Sequence, residues 1–141
     1  MKKYKLGYTQ GVFDMFHIGH LNLINRAKEY CEYLIVGVNS DQLVKEYKDK
    51  YPVVDELCRQ EIVSNIKAVD ECVVVTTLDK KKSWEKFQYN AIFIGDDWKG
   101  NPRWEQTEKS LKPLGVDVIY LPYTPRISST SLREVKDKSI E

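Results

Sequence analysis

Short apolar, β-branched runs alternate with segments of helical periodicity along this chain, and this alternation constrains its fold most. The runs KYKLGYT, EYLIVGV, ECVVVTT, AIFIG and VDVIYLP predict strands at 3–9, 32–38, 71–77, 91–95 and 116–122. The second and third are nearly continuous apolar runs, which is typical of strands buried on both faces. The pattern therefore predicts an α/β fold: a Rossmann-like, doubly wound parallel sheet of five strands.

Helical patterns fill the intervals between these strands. The first helix is predicted to begin between His17 and His20, and its apolar stripe consists of Leu21, Ile24, Ala27 and Cys31. The second starts at a predicted N-cap, Asp55, and its expected buried side chains are Leu57, Ile62, Ile66 and Val69. Further helices are predicted over 80–89, from Asn101 to Leu114 with Gly115 ending it, and from about Ser128. Residues 45–56 predict a charged loop.

Composition excludes several classes of protein. The 141 residues suit a single domain, and a formal net charge of +1 argues against a nucleic-acid partner. The 3 cysteines form no CxxC pair, which argues against a disulfide framework or a zinc site. No apolar run approaches the ~18 residues of a membrane span. We therefore expect a cytoplasmic protein that does not insert into membranes.

Both histidines of the chain fall in one stretch, GVFDMFHIGH, where His17 and His20 flank Gly19. The stretch follows the first strand and opens a helix, whose N-terminal N–H groups and dipole favour an anion. An imidazole with a pKa near ~6.5 gains a proton readily beside a phosphate. Two ordinary surface histidines at a helix start are the alternative. The concentration of both histidines beside a glycine favours an anion site, and no third ligand lies nearby for zinc.

Two other loops follow predicted strands at the sheet edge where ligands of such folds bind. The loop after the fourth strand reads GDDWKG, and the segment after the fifth reads ISSTSLRE. Hydroxyls and N–H groups at a second helix start, with Arg133 one turn on, make a second candidate anion site. An aspartate turn and an ordinary serine N-cap are the respective alternatives. Two such helix starts at one edge favour a polyphosphate bridging them.

These motifs resemble a known family. GVFDMFHIGH is similar to the signature of the HxGH nucleotidyltransferases, and ISSTSLRE resembles their second signature. With GDDWKG, the resemblance narrows to the glycerol-3-phosphate cytidylyltransferase group and spans residues 4 to about 136. It implies transfer of a cytidylyl group from CTP, carried with Mg²⁺, to a small phosphorylated alcohol, foremost glycerol 3-phosphate. It also implies a homodimer, and it assigns no protein ligand to the metal.

Other functions remain open on the sequence. The acceptor could be choline, ethanolamine or ribitol phosphate, or the protein could be an adenylyltransferase of the same superfamily. A nucleotide-binding domain without turnover is the alternative outside enzymes. The intact pair of histidines speaks against it, because binding alone does not require both.

The resemblance also implies roles for individual residues. The expected catalytic residues are His17, His20, Lys48 and Arg133. The expected nucleotide-binding residues are Thr9, Gln10, Gly11, Val12, Phe13, Gly19, Asp97, Trp98, Ile127, Ser128, Ser129 and Thr130. The residues expected to bind the phosphorylated substrates are Lys48, Lys50, Arg59, Lys67 and Arg126. Asp41 and Asp70 also match aspartates of the group.

The chain departs from the group before its second signature. Where the group usually reads Arg-Thr-x-Gly, this chain has Tyr123, Thr124, Pro125 and Arg126. We expect Arg126 to supply the charge that is missing at position 123. Lys67 stands where the group often has arginine, which replaces a planar fork of donors with a point charge.

Overall fold

The computed structural model describes residues 2–122, which form one five-stranded sheet. Its strands are β1 (Tyr4–Gly11), β2 (Cys31–Asn39), β3 (Glu71–Val75), β4 (Ala91–Gly95) and β5 (Asp117–Leu121). Neighbouring strands all pair in parallel, in the order β3-β2-β1-β4-β5. The predicted Rossmann-like fold is therefore confirmed, with strand ends displaced by only a residue or two.

Helices connect the strands and cover both faces of the sheet. They are α1 (Ile18–Tyr30), α2 (Asp41–Lys48), α3 (Glu56–Ser64), α4 (Lys80–Phe87) and α5 (Pro102–Leu111). Short 3₁₀ turns occupy Asp96–Trp98 and Lys112–Leu114. The helix predicted from about Ser128 lies outside the described residues. No helix within residues 2–122 is long and apolar enough to cross a membrane.

Local capping explains where several helices begin. Asp55 accepts a hydrogen bond from the Cys58 amide at 2.9 Å, as predicted for the start of α3. Asn101 accepts one from the Arg103 amide at 2.9 Å, and Pro102 occupies the first position of α5. Helix α2 was not predicted, and its second half lies within the segment read as a charged loop. Ser40 caps it through the Leu43 amide.

The predicted apolar stripe of α3 is wrong for Leu57 and Ile62, whereas Ile66 and Val69, which follow the helix, do pack against the core. Leu57 and Ile62 are 70% and 44% exposed, whereas Arg59 and Val63 are fully buried. The helix is rotated because it turns Arg59 inward, where the guanidinium finds hydrogen-bond partners that an outward-facing arginine would lack. For α1 the prediction holds, since Ile24 and Ala27 are its buried residues.

Two hydrophobic clusters lie on the two faces of the sheet. The first packs α1 and α3 against the sheet and includes Ile24, Ala27, Leu34, Val36, Val63 and Phe93. The second lies under α4 and α5 and includes Tyr8, Ile35, Tyr89, Ile92, Trp104 and Leu111. A sheet covered on both faces leaves only its edges and strand ends open to a ligand.

The strand order places one switch point at the carboxyl ends of β1 and β4. From β1 the chain proceeds outward through β2 and β3, then crosses back to β4 on the other side of β1. The loops after β1 and β4 therefore leave the sheet in different directions and open a crevice between them. The histidine stretch and GDDWKG are the sequences of those two loops.

Candidate active site

A cavity of about 770 Å³ lies at this switch point. Its walls come from the loops after β1 and β4, from α2 with the segment after it, and from the starts of α4 and α5. The sequence-predicted site residues that line it are Gln10, Gly11, Val12, Phe13, His17, Gly19, His20, Lys48, Lys50, Asp97 and Trp98. The structure thus brings together residues that are up to about ninety positions apart.

The two histidines cap α1 with their own side chains. His17 Nδ1 accepts a hydrogen bond from the Gly19 amide at 3.0 Å, and His20 Nδ1 accepts one from the His17 amide at 3.2 Å. The rings stack with their centroids 3.8 Å apart. This reciprocal arrangement is a capping box in which imidazoles take the places of the usual serine and glutamate.

The cap also fixes the tautomer of each ring. Because Nδ1 accepts a hydrogen bond in both histidines, the proton of the neutral imidazole resides on Nε2. His17 Nε2 is buried and has no hydrogen-bond partner among the described residues. His17 therefore lines the cavity with an N–H donor that no residue between 2 and 122 satisfies.

Burial keeps both imidazoles uncharged at neutral pH. It lowers the pKa of His17, and it lowers the pKa of His20 to about 4, with a further contribution from the neighbouring His17 ring. The Asp14 carboxylate opposes that shift of the His20 pKa without reversing it. Protonation beside a phosphate stays a prediction, because these shifts of the pKa arise from groups of the protein alone.

The lowered pKa of His20 makes stability depend on pH. Between pH 6.5 and about 4 the unfolded chain binds a proton at this position that the folded chain excludes, so stability is complete above that window and falls with pH inside it. Because the His20 ring is not wholly buried, we expect the free energy of unfolding to fall by only about 2 kcal/mol across this window. In His20→Asn the amide oxygen can still accept the cap hydrogen bond, and this part of the loss should disappear. Urea unfolding at pH 7.5 and 4.5 measures the loss of stability in the wild-type protein and in His20→Asn. Equal losses in these two proteins would contradict the assignment of the effect to His20.

The loop that carries the histidines has a strained backbone. Phe13 and Met15 adopt positive φ angles of 54° and 49°, a region that non-glycine residues rarely enter. Gly11, which ends β1 just before this loop, is not among the residues with positive φ. Its lack of a side chain has another reason, since a Cβ there would lie 3.2 Å from the Phe13 ring. Strain of this kind concentrates at functional sites.

Asp14 ties the histidine loop to the lysine-bearing segment that follows α2. Its carboxylate is buried and accepts hydrogen bonds from the Val53 and Val54 amides at 2.8 and 2.9 Å. Both contacts fix the end of the segment that contains Lys50, which lines the cavity. Asp14 thus helps to set the distance between the lysines and the histidine pair.

Arg59 connects the segments around the cavity through hydrogen bonds. Its guanidinium donates to the carbonyls of Val54, Val12 and Asn39 at 2.8, 2.7 and 2.8 Å, and to the Asp41 carboxylate at 2.6 Å. The residue is fully buried and does not line the cavity. The structure therefore gives Arg59 and Asp41 positioning roles, in place of direct contact with a substrate.

Replacing Arg59 should destabilise the fold. Arg59→Met leaves three carbonyls and a carboxylate without their partner, and losing one member of a buried ion pair typically costs about 3–5 kcal/mol. Lys67→Met is the matched control, because Lys67 is exposed and a surface change of this kind stays within about 0.5 kcal/mol. Free energies of unfolding from urea titration distinguish the two. A stable Arg59→Met protein that only loses substrate affinity would restore the direct role.

Other predicted site residues lie away from the cavity. The Thr9 hydroxyl is buried and donates to the Phe93 carbonyl at 2.9 Å, inside the sheet. Lys67 and Asp70 precede β3 and so lie at the opposite, amino end of the strands. Asp70 there pairs with Lys28 and accepts from the Leu34 amide at 2.8 Å. The predicted residues Arg126, Ile127, Ser128, Ser129, Thr130 and Arg133 lie outside the described residues.

Gln10 is held rigidly although it lines the cavity. Its side-chain oxygen accepts from the Tyr8 hydroxyl at 2.6 Å, and its amide group donates to Asn39 and to the Thr77 carbonyl at 2.8 and 3.0 Å. Both amide protons are therefore committed to the protein. Gln10 fixes the spacing of three strand ends and leaves recognition to neighbouring groups.

Sequence reasoning missed a group of lining residues at one end of the cavity: Tyr47, Tyr51, Lys80, Arg103 and Trp104. Lys80 begins a run of lysines that resembles a solvated helix start, and Trp104 reads as a packing residue. For Lys80, Arg103 and Trp104 the available signal was their position at the starts of helices that follow β3 and β4. The Trp104 indole N–H is buried without a partner among the described residues.

The described residues offer no built metal cage. Across residues 2–122, no group of three histidine, cysteine, aspartate or glutamate side chains is placed to hold a metal ion. In the described lining of the cavity the carboxylates are those of Asp14 and Asp97. A magnesium ion would thus fit this cavity as part of a metal–triphosphate complex, with phosphate and water as its main ligands.

Parallel strands, a switch-point cavity and paired imidazoles at a helix start are consistent with a nucleotidyltransferase, the class that comparison with known proteins shows. The chain belongs to the cytidylyltransferase-like family, whose sequence profile matches residues 8–135.

Known proteins support this assignment over most of the chain. The glycerol-3-phosphate cytidylyltransferase of Bacillus spizizenii is 36% identical over 129 residues, covering 89% of this chain and 92% of that protein. The FAD synthase of Korarchaeum cryptofilum is 33% identical over 125 residues, covering 86% and 84%. Among solved structures, the lipopolysaccharide core biosynthesis protein from Thermoplasma volcanium superposes with a TM-score of 0.74 at 24% identity, covering 86% and 98%. That likeness shows the fold alone.

Proposed function

We propose that this protein transfers a cytidylyl group from CTP to a small phosphorylated alcohol, foremost glycerol 3-phosphate. The products are the CDP-alcohol and pyrophosphate. The observation that carries the proposal is the histidine pair. Its cap fixes both tautomers and leaves His17 Nε2, in the cavity, without a hydrogen-bond partner in the part of the chain that the structure describes. The relative from Bacillus spizizenii, similar over nearly its whole length, supports CTP and glycerol 3-phosphate as the substrates.

The charges around the cavity suit two phosphorylated substrates. Lys48, Lys50, Lys80 and Arg103 line it, whereas its described carboxylates belong to Asp14 and Asp97. A triphosphate and a phosphomonoester repel each other, and a site that gathers both must supply fixed positive charge. This excess of cations is local, because the chain as a whole carries a net charge of only +1.

The reaction needs no covalent intermediate on the protein. An oxygen of the acceptor phosphate attacks the α-phosphorus of CTP, a new P–O bond forms, and the bond from the α-phosphorus to the bridging oxygen breaks as pyrophosphate departs. Neutral Nε2–H groups of His17 and His20 donate to oxygens on which negative charge grows. Lys48 and Lys50 hold the phosphates in line, so that positioning and electrostatics lower the barrier. Mg²⁺ bound with CTP would neutralise part of the triphosphate charge.

The role of the histidines predicts an effect on turnover. His17→Asn keeps an oxygen that can accept from the Gly19 amide but removes the Nε2 donor. The kcat should fall by about a hundredfold or more, while the Kd for CTP changes far less, because the lost interaction strengthens in the transition state. His17→Gln, whose amide nitrogen can approach the position of Nε2, should recover part of the rate. Pyrophosphate release and calorimetry measure both quantities, and near-normal kcat in His17→Asn would refute the role.

The choice of base separates the two enzyme classes among the relatives. We expect CTP to bind more tightly than ATP, GTP or UTP, since Asp97 and Trp98 lie beside the switch point in the loop that resembles the cytidylyltransferases. Calorimetry with the four nucleotides in the presence of Mg²⁺ tests this expectation. Equal or tighter binding of ATP would place the protein with the adenylyl-transferring enzymes, for which the similarity to an FAD synthase is the supporting observation.

A further inference from the structure

A tyrosine ring in the cavity wall carries the ammonium group of Lys48. The ring belongs to Tyr47, which is 37% exposed, and the ammonium lies over it, 5.8 Å from the ring centroid. Adjacent residues inside a helix point in different directions. Lys48 is the last residue of α2, before a left-handed cap at Asp49, and its long side chain reaches back over the ring. The position of the ammonium therefore depends on where the Tyr47 ring is held.

A buried asparagine holds the Tyr47 hydroxyl at the end of β2. Asn39 is 3% exposed, and its side-chain nitrogen donates to that hydroxyl at 3.1 Å. The side-chain oxygen of Asn39 accepts from Gln10 at 2.8 Å, and its main-chain carbonyl accepts from Arg59 at 2.8 Å. Asn39 is thus bonded through three of its polar groups, and it ties the tyrosine to the strands of the sheet.

The direction of these hydrogen bonds follows from one backbone carbonyl. The carbonyl of Thr77 can only accept, so the side-chain atom of Gln10 that faces it is the nitrogen. The same nitrogen faces the side-chain oxygen of Asn39, which turns the Asn39 nitrogen toward Tyr47. The Tyr8 hydroxyl donates to the remaining oxygen of Gln10 at 2.6 Å. The chain of hydrogen bonds therefore has one orientation, and the Tyr47 hydroxyl ends it as an acceptor.

An aromatic face suits a lysine that must keep its charge for a phosphate. A ring attracts an ammonium group within ~6 Å of its centroid, but it does not cancel the charge as a carboxylate would. A long lysine side chain loses much conformational entropy when it becomes ordered on a ligand. A partner that limits its positions beforehand lowers that cost at the moment of binding. A ring that is itself fixed by hydrogen bonds can therefore preorganise Lys48.

We propose that Tyr47 is a positioning residue for Lys48, whose ammonium its ring holds at the cavity wall. This inference rests on the proposed function, in which Lys48 holds the phosphates in line. Tyr47 acts through the lysine, and the hydrogen-bond chain from Thr77 through Gln10 and Asn39 fixes the ring.

A double-mutant cycle tests the coupling between the two residues. With CTP and glycerol 3-phosphate, Tyr47→Leu should lower kcat/KM for pyrophosphate release by about fivefold, the effect of losing one exposed cation–π contact. In a Lys48→Met background the same change should have less than about a twofold effect, because the lysine that the ring positions is absent. An equal factor in both backgrounds would overturn the inference.

A conservative variant separates the ring from the hydroxyl. Tyr47→Phe keeps the aromatic face but loses the oxygen that accepts from Asn39, so kcat/KM should fall by only about twofold. A loss as large as that in Tyr47→Leu would assign the effect to the hydroxyl and refute the role of the ring.

The matched control is a tyrosine at the opposite end of the sheet. Tyr33 is 42% exposed, and its hydroxyl donates to Glu71 at 3.0 Å. It lies near the amino end of β2 and is not among the described residues that line the cavity. Tyr33→Leu should therefore leave kcat/KM unchanged. Thermal unfolding of every variant confirms that each is folded.

The position of the Lys48 ammonium can also be measured without turnover. Protons over an aromatic face resonate upfield, so the methylene protons beside this ammonium should be shifted upfield in the NMR spectrum. Their signal is assigned as the one that Lys48→Met lacks. It should return toward the ordinary lysine value in Tyr47→Leu and stay shifted in Tyr47→Phe. Lys45, on the same helix with its ammonium 5.6 Å from the Tyr51 ring centroid, is the internal control whose signal should not move.

Failure of the proposed function gives a separate result. If no phosphorylated alcohol releases pyrophosphate from CTP, the transfer proposal fails, and the NMR comparison alone then decides whether Tyr47 positions Lys48. A Lys48 signal that moves in Tyr47→Leu, while that of Lys45 stays in place, supports the inference. A Lys48 signal that is the same in the wild-type protein and in Tyr47→Leu overturns it.

Discussion

The cavity depends on one buried cation. The Arg59 guanidinium joins the loop after β1, the end of β2, the start of α2 and the segment before α3, through Val12, Asn39, Asp41 and Val54. Burying a guanidinium is unfavourable unless its donors are satisfied, and here carbonyls supply most of the partners. The segments it joins carry the histidines and the two lysines. The arrangement of those groups therefore follows from an interaction within the protein itself.

A second interaction serves the fold and the chemistry together. The first N–H groups of a helix need acceptors, and in α1 the Nδ1 atoms of His17 and His20 provide them. The cap holds the rings stacked and confines their protons to Nε2. Under the proposed function, helix capping and ligand recognition would use opposite edges of the same rings. A serine cap would satisfy the helix equally well but would leave the cavity without its imidazole donors.

The sheet and most of the helices could be predicted, because strand and helix periodicities are local properties of the sequence. The caps at Asp55 and Asn101 were predicted for the same reason. The inward direction of the Arg59 side chain could not be predicted, because most of its partners lie on other segments of the chain. An arginine on a helix is also ordinarily exposed. The place of Lys80 in the cavity was hidden likewise, because its ammonium lies over the ring of Trp104, which is on another helix. Pairings across the fold have no local signature.

The low charge of the histidines is consistent with the cations around them. The cavity already has four positively charged side chains in its described lining, from Lys48, Lys50, Lys80 and Arg103. Charging the stacked imidazoles as well would place like charges 3.8 Å apart, as measured between ring centroids. Neutral donors avoid that repulsion and still respond to the charge that develops on a reacting phosphate. Under the proposed function, lysine and arginine would supply fixed charge for binding, and the histidines would supply hydrogen bonds that gain strength as the reaction proceeds.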